Sequence, residues 1–187
     1  MFEREVQFME KRIKMKIRSL RYDVDDSLFS KLADEAEDDM DIEFFEDDLP
    51  ELDEEIIEIA TEAFMRIDDE RVTMWYEESE LTGMGGSITL ITFERGDPGL
   101  VSMNREGAVS TSLVFERGKR HHCVYDTPVM PFEICVKTIK VENNILSEGT
   151  LFLDYIIEIR GAKAERTKFE ISVFDLQEVT VANEASV

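Results

Sequence analysis

Tyr76-Glu77-Glu78-Ser79-Glu80-Leu81-Thr82-Gly83-Met84-Gly85-Gly86-Ser87 is the stretch on which the fold turns. Before it, Val72, Met74 and Tyr76 recur at every second position. After it, Ile88, Leu90 and Thr92 do the same. Period two is the signature of a strand with two different faces. The stretch closes one strand on carboxylates, turns on glycines and opens the next strand at Ser87. Gly83-Met84-Gly85-Gly86 has the look of a phosphate cradle, but such loops need a helix N-terminus behind them. A strand follows here, so the glycines are expected to supply left-handed turn geometry.

The same alternation continues outward in both directions. Ile13, Met15 and Ile17 interleave with Lys14, Lys16 and Arg18, which predicts a first strand with a basic solvent face rather than a nucleic-acid patch. Ile57, Ile59, Thr61 and Ala63 follow the same rule. Further strands are predicted around 100–105, 109–116 and 119–126, with an Arg95–Gly99 turn before them and Gly107 and Gly118 between them. Phe132-Ile134-Val136, Leu151–Ile159 and Phe169–Val173 complete about ten strands with hairpin-length links. The expected fold is all-β, a single antiparallel up-and-down barrel of about 8–10 strands over residues 11–176, because a twisted sheet that wide tends to curl and close. Residues 1–10 are expected to be a frayed end or short helix, and 177–187 a loose tail.

The chain has 187 residues, which suits one domain, and 43% apolar residues, enough for a core. Formal net charge is −22, and residues 23–55 carry −16 of it, with 17 acids against the single Lys31. The acidity is therefore local. It disfavours nucleic acid and anionic membranes as partners. No apolar run is long enough to span a bilayer, and the first twenty residues lack a secretory apolar region. Two cysteines in that context predict free thiols in the cytoplasm. The acidic segment reads as an insertion, partly helical from Ser27 through Ala36 and partly disordered, with Phe44 and Phe45 available to dock on a basic partner. Asp23, Asp25 and Ser27 fail as an EF-hand start, since Leu28 stands where glycine is needed and Asp34 where glutamate is.

Tyr76-Glu77-Glu78-Ser79 with Thr82-Gly83-Met84 carries a family resemblance, together with Phe115, Gly118-Lys119-Arg120-His121, Tyr125, Thr127-Pro128, Glu142-Asn143-Asn144 and Leu153-Asp154-Tyr155. Residues 12–22 and 54–175 resemble the YwiB-like bacterial proteins, a domain of unknown function with a calycin-type, lipocalin-like barrel. The resemblance implies the barrel and no reaction. This chain departs from the pattern in its acidic insertion and at Val129-Met130-Pro131, where a glycine-bearing turn is usual.

Strand parity sorts the chemistry-bearing side chains. Glu77 and Glu78 face opposite sides, so they cannot share a pocket. Glu78 lies on the face of Tyr76, Met74 and Val72. It is either an inward carboxylate, which needs a partner such as Arg120 or His121, or a solvated residue of the barrel rim. His121, Cys123 and Tyr125 share one face of their strand, Arg120, His122 and Val124 the other. A hairpin centred on Val129 sets Cys135 opposite Cys123, so His121, Cys123 and Cys135 could approach one another. No fourth metal ligand and no residue to orient a Cys–His pair is visible, and structural thiols are the simpler account. Met74, Met84, Met103 and Met130 serve equally as pocket lining or core filling.

The expectation is therefore a non-enzymatic barrel with no cofactor and no metal. It binds a small apolar or amphipathic ligand through Tyr76, Glu78, Arg120, His121 and Tyr125. The alternative is a filled barrel acting as an interaction module through its acidic insertion. The sequence leaves oligomeric state open, a homodimer included.

Overall fold

The computed structural model describes residues 8–24, 54–159 and 164–178. Ten strands form one closed antiparallel barrel: β1 (Met9–Val24), β2 (Glu54–Ile67), β3 (Arg71–Glu77), β4 (Ile88–Glu94), β5 (Asp97–Glu106), β6 (Ser110–Glu116), β7 (Arg120–Asp126), β8 (Phe132–Asn144), β9 (Thr150–Ile159) and β10 (Ala164–Glu178). Each strand pairs with its neighbour in sequence, and β10 returns to pair with β1. The up-and-down barrel predicted from the alternation is the observed fold.

The alternation works as expected because one face of every strand is withdrawn from water. Ile13, Met15, Val72, Met74, Ile91, Met103, Phe115, Leu151, Leu153 and Ile171 are fully buried and fill one half of the barrel. Burying each aliphatic side chain contributes about 1.5–3 kcal/mol against the entropy of ordering the chain. On the wet face, Arg12 pairs with Glu62, Lys16 and Arg18 with Glu58, and Arg66 with Glu10. The basic face of β1 is thus matched to acids of β2, as its reading as a solvent face implied.

Several boundaries move. β1 starts at Met9, so residues 9 and 10 are strand rather than a frayed end or helix. β5 starts at Asp97, and Glu94 pairs with Asp97, so the link is Arg95–Gly96 alone. β10 runs to Glu178, which pairs with Lys11, so Gln177 belongs to the barrel. β1 and β2 extend to Val24 and Glu54. The readings made for residues 25–53, Phe44 and Phe45 included, lie outside the described residues, as do those for 1–7 and 179–187.

One seam is narrow. β1 and β2 pair continuously from Met9↔Ile67 to Tyr22↔Glu54, whereas β6 and β7 pair only at Ser110↔Asp126 and Thr111↔Tyr125. At the far end of the seam the Gly118 N–H donates to the Thr138 carbonyl and the Thr138 N–H to that of Lys119, so the turn joining β6 to β7 is held by β8.

Candidate functional site

Among the described links, 78–87, 107–109 and 127–131 lie at one end of the barrel, around its mouth. Strand register builds an inward row there. Tyr76 pairs with Thr89, Thr89 with Arg105, Arg105 with Thr111, and Thr111 with Tyr125. Each residue lies on its strand's inner parity, so one row crosses β3 to β7 and presents hydroxyls and a guanidinium to the interior.

Glu78 enters this row from the end of β3 and is 6% exposed. Its Oε1 accepts from the Thr89 hydroxyl at 2.5 Å, the Tyr76 hydroxyl at 3.2 Å and Arg105 Nε at 3.3 Å. Arg105 Nη2 lies 3.2 Å from the same oxygen, and the Thr82 hydroxyl donates to Oε2 at 3.1 Å. Buried carboxylates are tolerated when paired and hydrogen-bonded in this way. Glu78 is therefore the inward carboxylate rather than the rim residue, and its partner is Arg105, not Arg120 or His121. Burial, with the Glu78 charge beside it, pushes the Tyr76 phenol far above its ordinary value.

The stretch 78–87 folds over the mouth. Ser79 accepts from the Leu81 N–H and opens a single 3-10 turn over Glu80–Thr82; Gly83 closes it at φ 73°. Gly83 and Gly86 both take left-handed conformations, as the turn reading required. Met84 turns inward, and the Tyr125 hydroxyl approaches its Sδ at 3.8 Å. The Ser87 hydroxyl accepts from the Val109 N–H at 3.1 Å, which ties this stretch to the β5–β6 hairpin.

Beneath this cover lies a cavity of about 320 Å³. Leu113, Tyr125, Phe132, Ile134, Ile157, Ile159 and Met84 form its apolar wall, with Arg21, Arg105, Thr82, Glu165, Thr167 and Tyr155 as its polar groups. The Tyr125 and Phe132 rings stack at 5.4 Å, and Phe115 packs on Tyr155 at 4.8 Å. A smaller cavity of about 40 Å³ adjoins it and shares Arg21, Thr82, Met84, Arg105 and Tyr155 while adding Ser19, Tyr76 and Glu78.

Of the five residues predicted to bind a ligand, Tyr76, Glu78 and Tyr125 line these two cavities. Arg120 does not; it lies on the outer face and pairs with Glu158 at 3.4 Å. His121 sits on the inner parity of β7 but further from the mouth, its Nε2 3.5 Å from Glu116. The imagined cysteine cluster is also corrected. His122, not Cys123, pairs with Cys135, so the two thiols occupy opposite faces. A hairpin centred between Pro128 and Val129 rather than on Val129 flips that parity. Burial raises both thiols above their ordinary values. Met74 and Met103 are core, Met84 lines the cavity and Met130 is exposed.

A second buried ion pair lies on the outer side. Arg166 grips Asp154 with two bonds of 2.8 and 2.6 Å beside the Tyr22 ring. Burial, partly offset by the Arg166 guanidinium, raises the Tyr22 phenol to about 12.

Comparison with known proteins agrees with this geometry. No curated protein matches the chain. The solved structure of the ywiB protein from Bacillus subtilis is similar in fold, at 17% identity and a TM-score of 0.57, over 89% of this chain and 94% of that one. No helix among the described residues is long and apolar enough to cross a membrane. A family model described as "Domain of unknown function (DUF1934)" matches residues 46–171, and with the barrel and its register in place the chain belongs to that family.

Proposed function

We propose that this protein is a binding barrel that holds a small amphipathic molecule at its mouth. The cavity of about 320 Å³ carries this reading. Ligand sites are concave, mostly apolar and furnished with a few fixed polar groups, and this chamber has that balance. Its rigid polar wall, pinned by Glu78 and Arg105, suits orientation of a ligand rather than chemistry upon it. No nucleophile–base–orienter set faces the chamber among the described residues, which supports a non-catalytic role. Free Cys123 and Cys135 fit a reducing cytoplasm. The alternative of an interaction module with a filled barrel has the chamber against it.

Methyl-resolved NMR of the full chain titrated with octan-1-ol tests the proposal. Shifts are expected at Leu113, Ile134 and Ile157 and not at Ile13 or Leu151. Uniform absence of change up to the solubility limit would overturn it.

A further inference from the structure

We infer that the ligand is an organic monocarboxylate, with its carboxylate at the junction of the two cavities and its apolar body in the larger one. This deepens the binding proposal above and rests on it.

The donors are already in place. Arg105 is 8% exposed and commits Nε to Glu78 and Thr89, and Nη2 to Glu78 and Met103 Sδ. Its Nη1 makes no hydrogen bond among the described residues, although the residue lines both cavities. Ser19, 5% exposed, lines the smaller cavity, and its Oγ has no hydrogen-bond partner. Arg21 also lines both cavities and, among the described residues, is held by a loose contact of 3.8 Å to Glu55. The buried Ser19 hydroxyl loses its hydration on folding and favours an occupant that restores it, and the Arg105 and Arg21 guanidinium groups set charged donors beside it.

The sign of the charge follows from the residues that converge there. At the junction Arg105 is matched to the buried Glu78, whereas Arg21 meets only the outer, largely exposed Glu55 at 3.8 Å among the described residues. The remaining acid of the chamber, Glu165, lies at the β9–β10 end and accepts from the Thr167 hydroxyl at 3.3 Å. A carboxylate at the junction meets an excess of donors, whereas an ammonium meets two guanidinium groups. The fork of Arg21 or Arg105 matches a carboxylate in geometry as well as charge. At about 30 Å³ per water-sized group, the larger cavity accepts roughly ten heavy atoms, which selects a medium-length or single-ring body.

The test compares octanoate, octan-1-ol and octylamine on the full chain by calorimetry and methyl NMR. Octanoate is expected to bind about tenfold to a hundredfold tighter than the alcohol, with the amine weakest, as a charge-assisted hydrogen bond requires. The Arg21→Gln variant, whose side chain is partly exposed and loosely held, is expected to lose about tenfold for octanoate and nothing for the alcohol. Arg105→Lys keeps a cation beside Glu78 but lacks Nη1, and is expected to show the same selective loss with its melting point checked in parallel. Alcohol binding as tight as octanoate, or amine binding tighter, overturns the carboxylate while leaving the binding barrel intact. Absence of binding by all three overturns both.

Discussion

Replacing Glu78 with leucine is the most informative perturbation of the barrel. The substitution leaves Arg105 charged, buried and without its carboxylate, and takes from the Tyr76, Thr82 and Thr89 hydroxyls their shared acceptor. Removing one partner of a buried ion pair costs about 3–5 kcal/mol. For a chain of this size that corresponds to a fall of about 6–20 °C in Tm. The double substitution Glu78→Leu with Arg105→Met removes both charges and restores apolar volume, and should return to within about 1–2 kcal/mol of the parent. Urea unfolding of the parent, both single variants and the double variant gives the coupling directly, expected to exceed about 2 kcal/mol. Because the pair is buried, added salt should leave that coupling nearly unchanged. A single-variant cost below about 1 kcal/mol, or a double variant no more stable than Glu78→Leu, would refute the claim that this pair is desolvated and mutually dependent.

Gly107 sits at φ 139°, and a Cβ there would lie 2.4 Å from the Gly86 carbonyl oxygen. Gly107→Ala should therefore lose about 1–3 kcal/mol in urea unfolding, while alanine at Gly96, where the added carbon meets open space, should cost far less. Of the four tyrosines, Tyr22, Tyr76 and Tyr155 have raised phenol values, with burial the first cause in each. A phenol whose folded value is raised stabilises the fold fully below about pH 10 and loses that contribution as pH rises through the folded value. Phenolate absorbance should accordingly lag the four-tyrosine total until alkaline unfolding, and a full titration near pH 10 in the folded protein would contradict the burial. Burial likewise raises Cys123 and Cys135, so thiol labelling at pH 8 should be much slower than in the urea-unfolded chain.

The barrel was legible because its core residues recur at period two with short links between them. That same parity put Glu78 on the face of Met74 and Tyr76 but left open whether its carboxylate turned inward or stood at the rim. What misled was local density. Arg120-His121-His122 drew attention as a cluster of charge, yet Arg120 and His121 must face opposite sides of one strand. Arg105 carried a quieter signal, continuing the inward run of Val101 and Met103 and so bound to project where they do. Which cation meets Glu78 depends on register across β3, β4 and β5, and no single strand records it. The β7–β8 register hung on a half-residue in the centre of a five-residue loop with two prolines, which flips every side chain of one strand relative to the other. The pairing of Asp154 with Arg166 escaped notice for a related reason: outward parity reads as solvent, and their mutual burial arises from cross-strand contact.

A closed barrel has no free edge only while every seam holds, and this one is held unequally. The two rungs between β6 and β7 make that boundary the least costly place for the wall to part, with Leu113 on one side and Tyr125 on the other. Transient separation there would open a lateral passage into the chamber without disturbing the turn over the mouth. It would also expose two strand edges able to recruit a strand from another molecule. The amides of 112–116 should then exchange with solvent faster than those of β1 and β2, so that the kinetics of entry are set by the wall rather than by the opening above it.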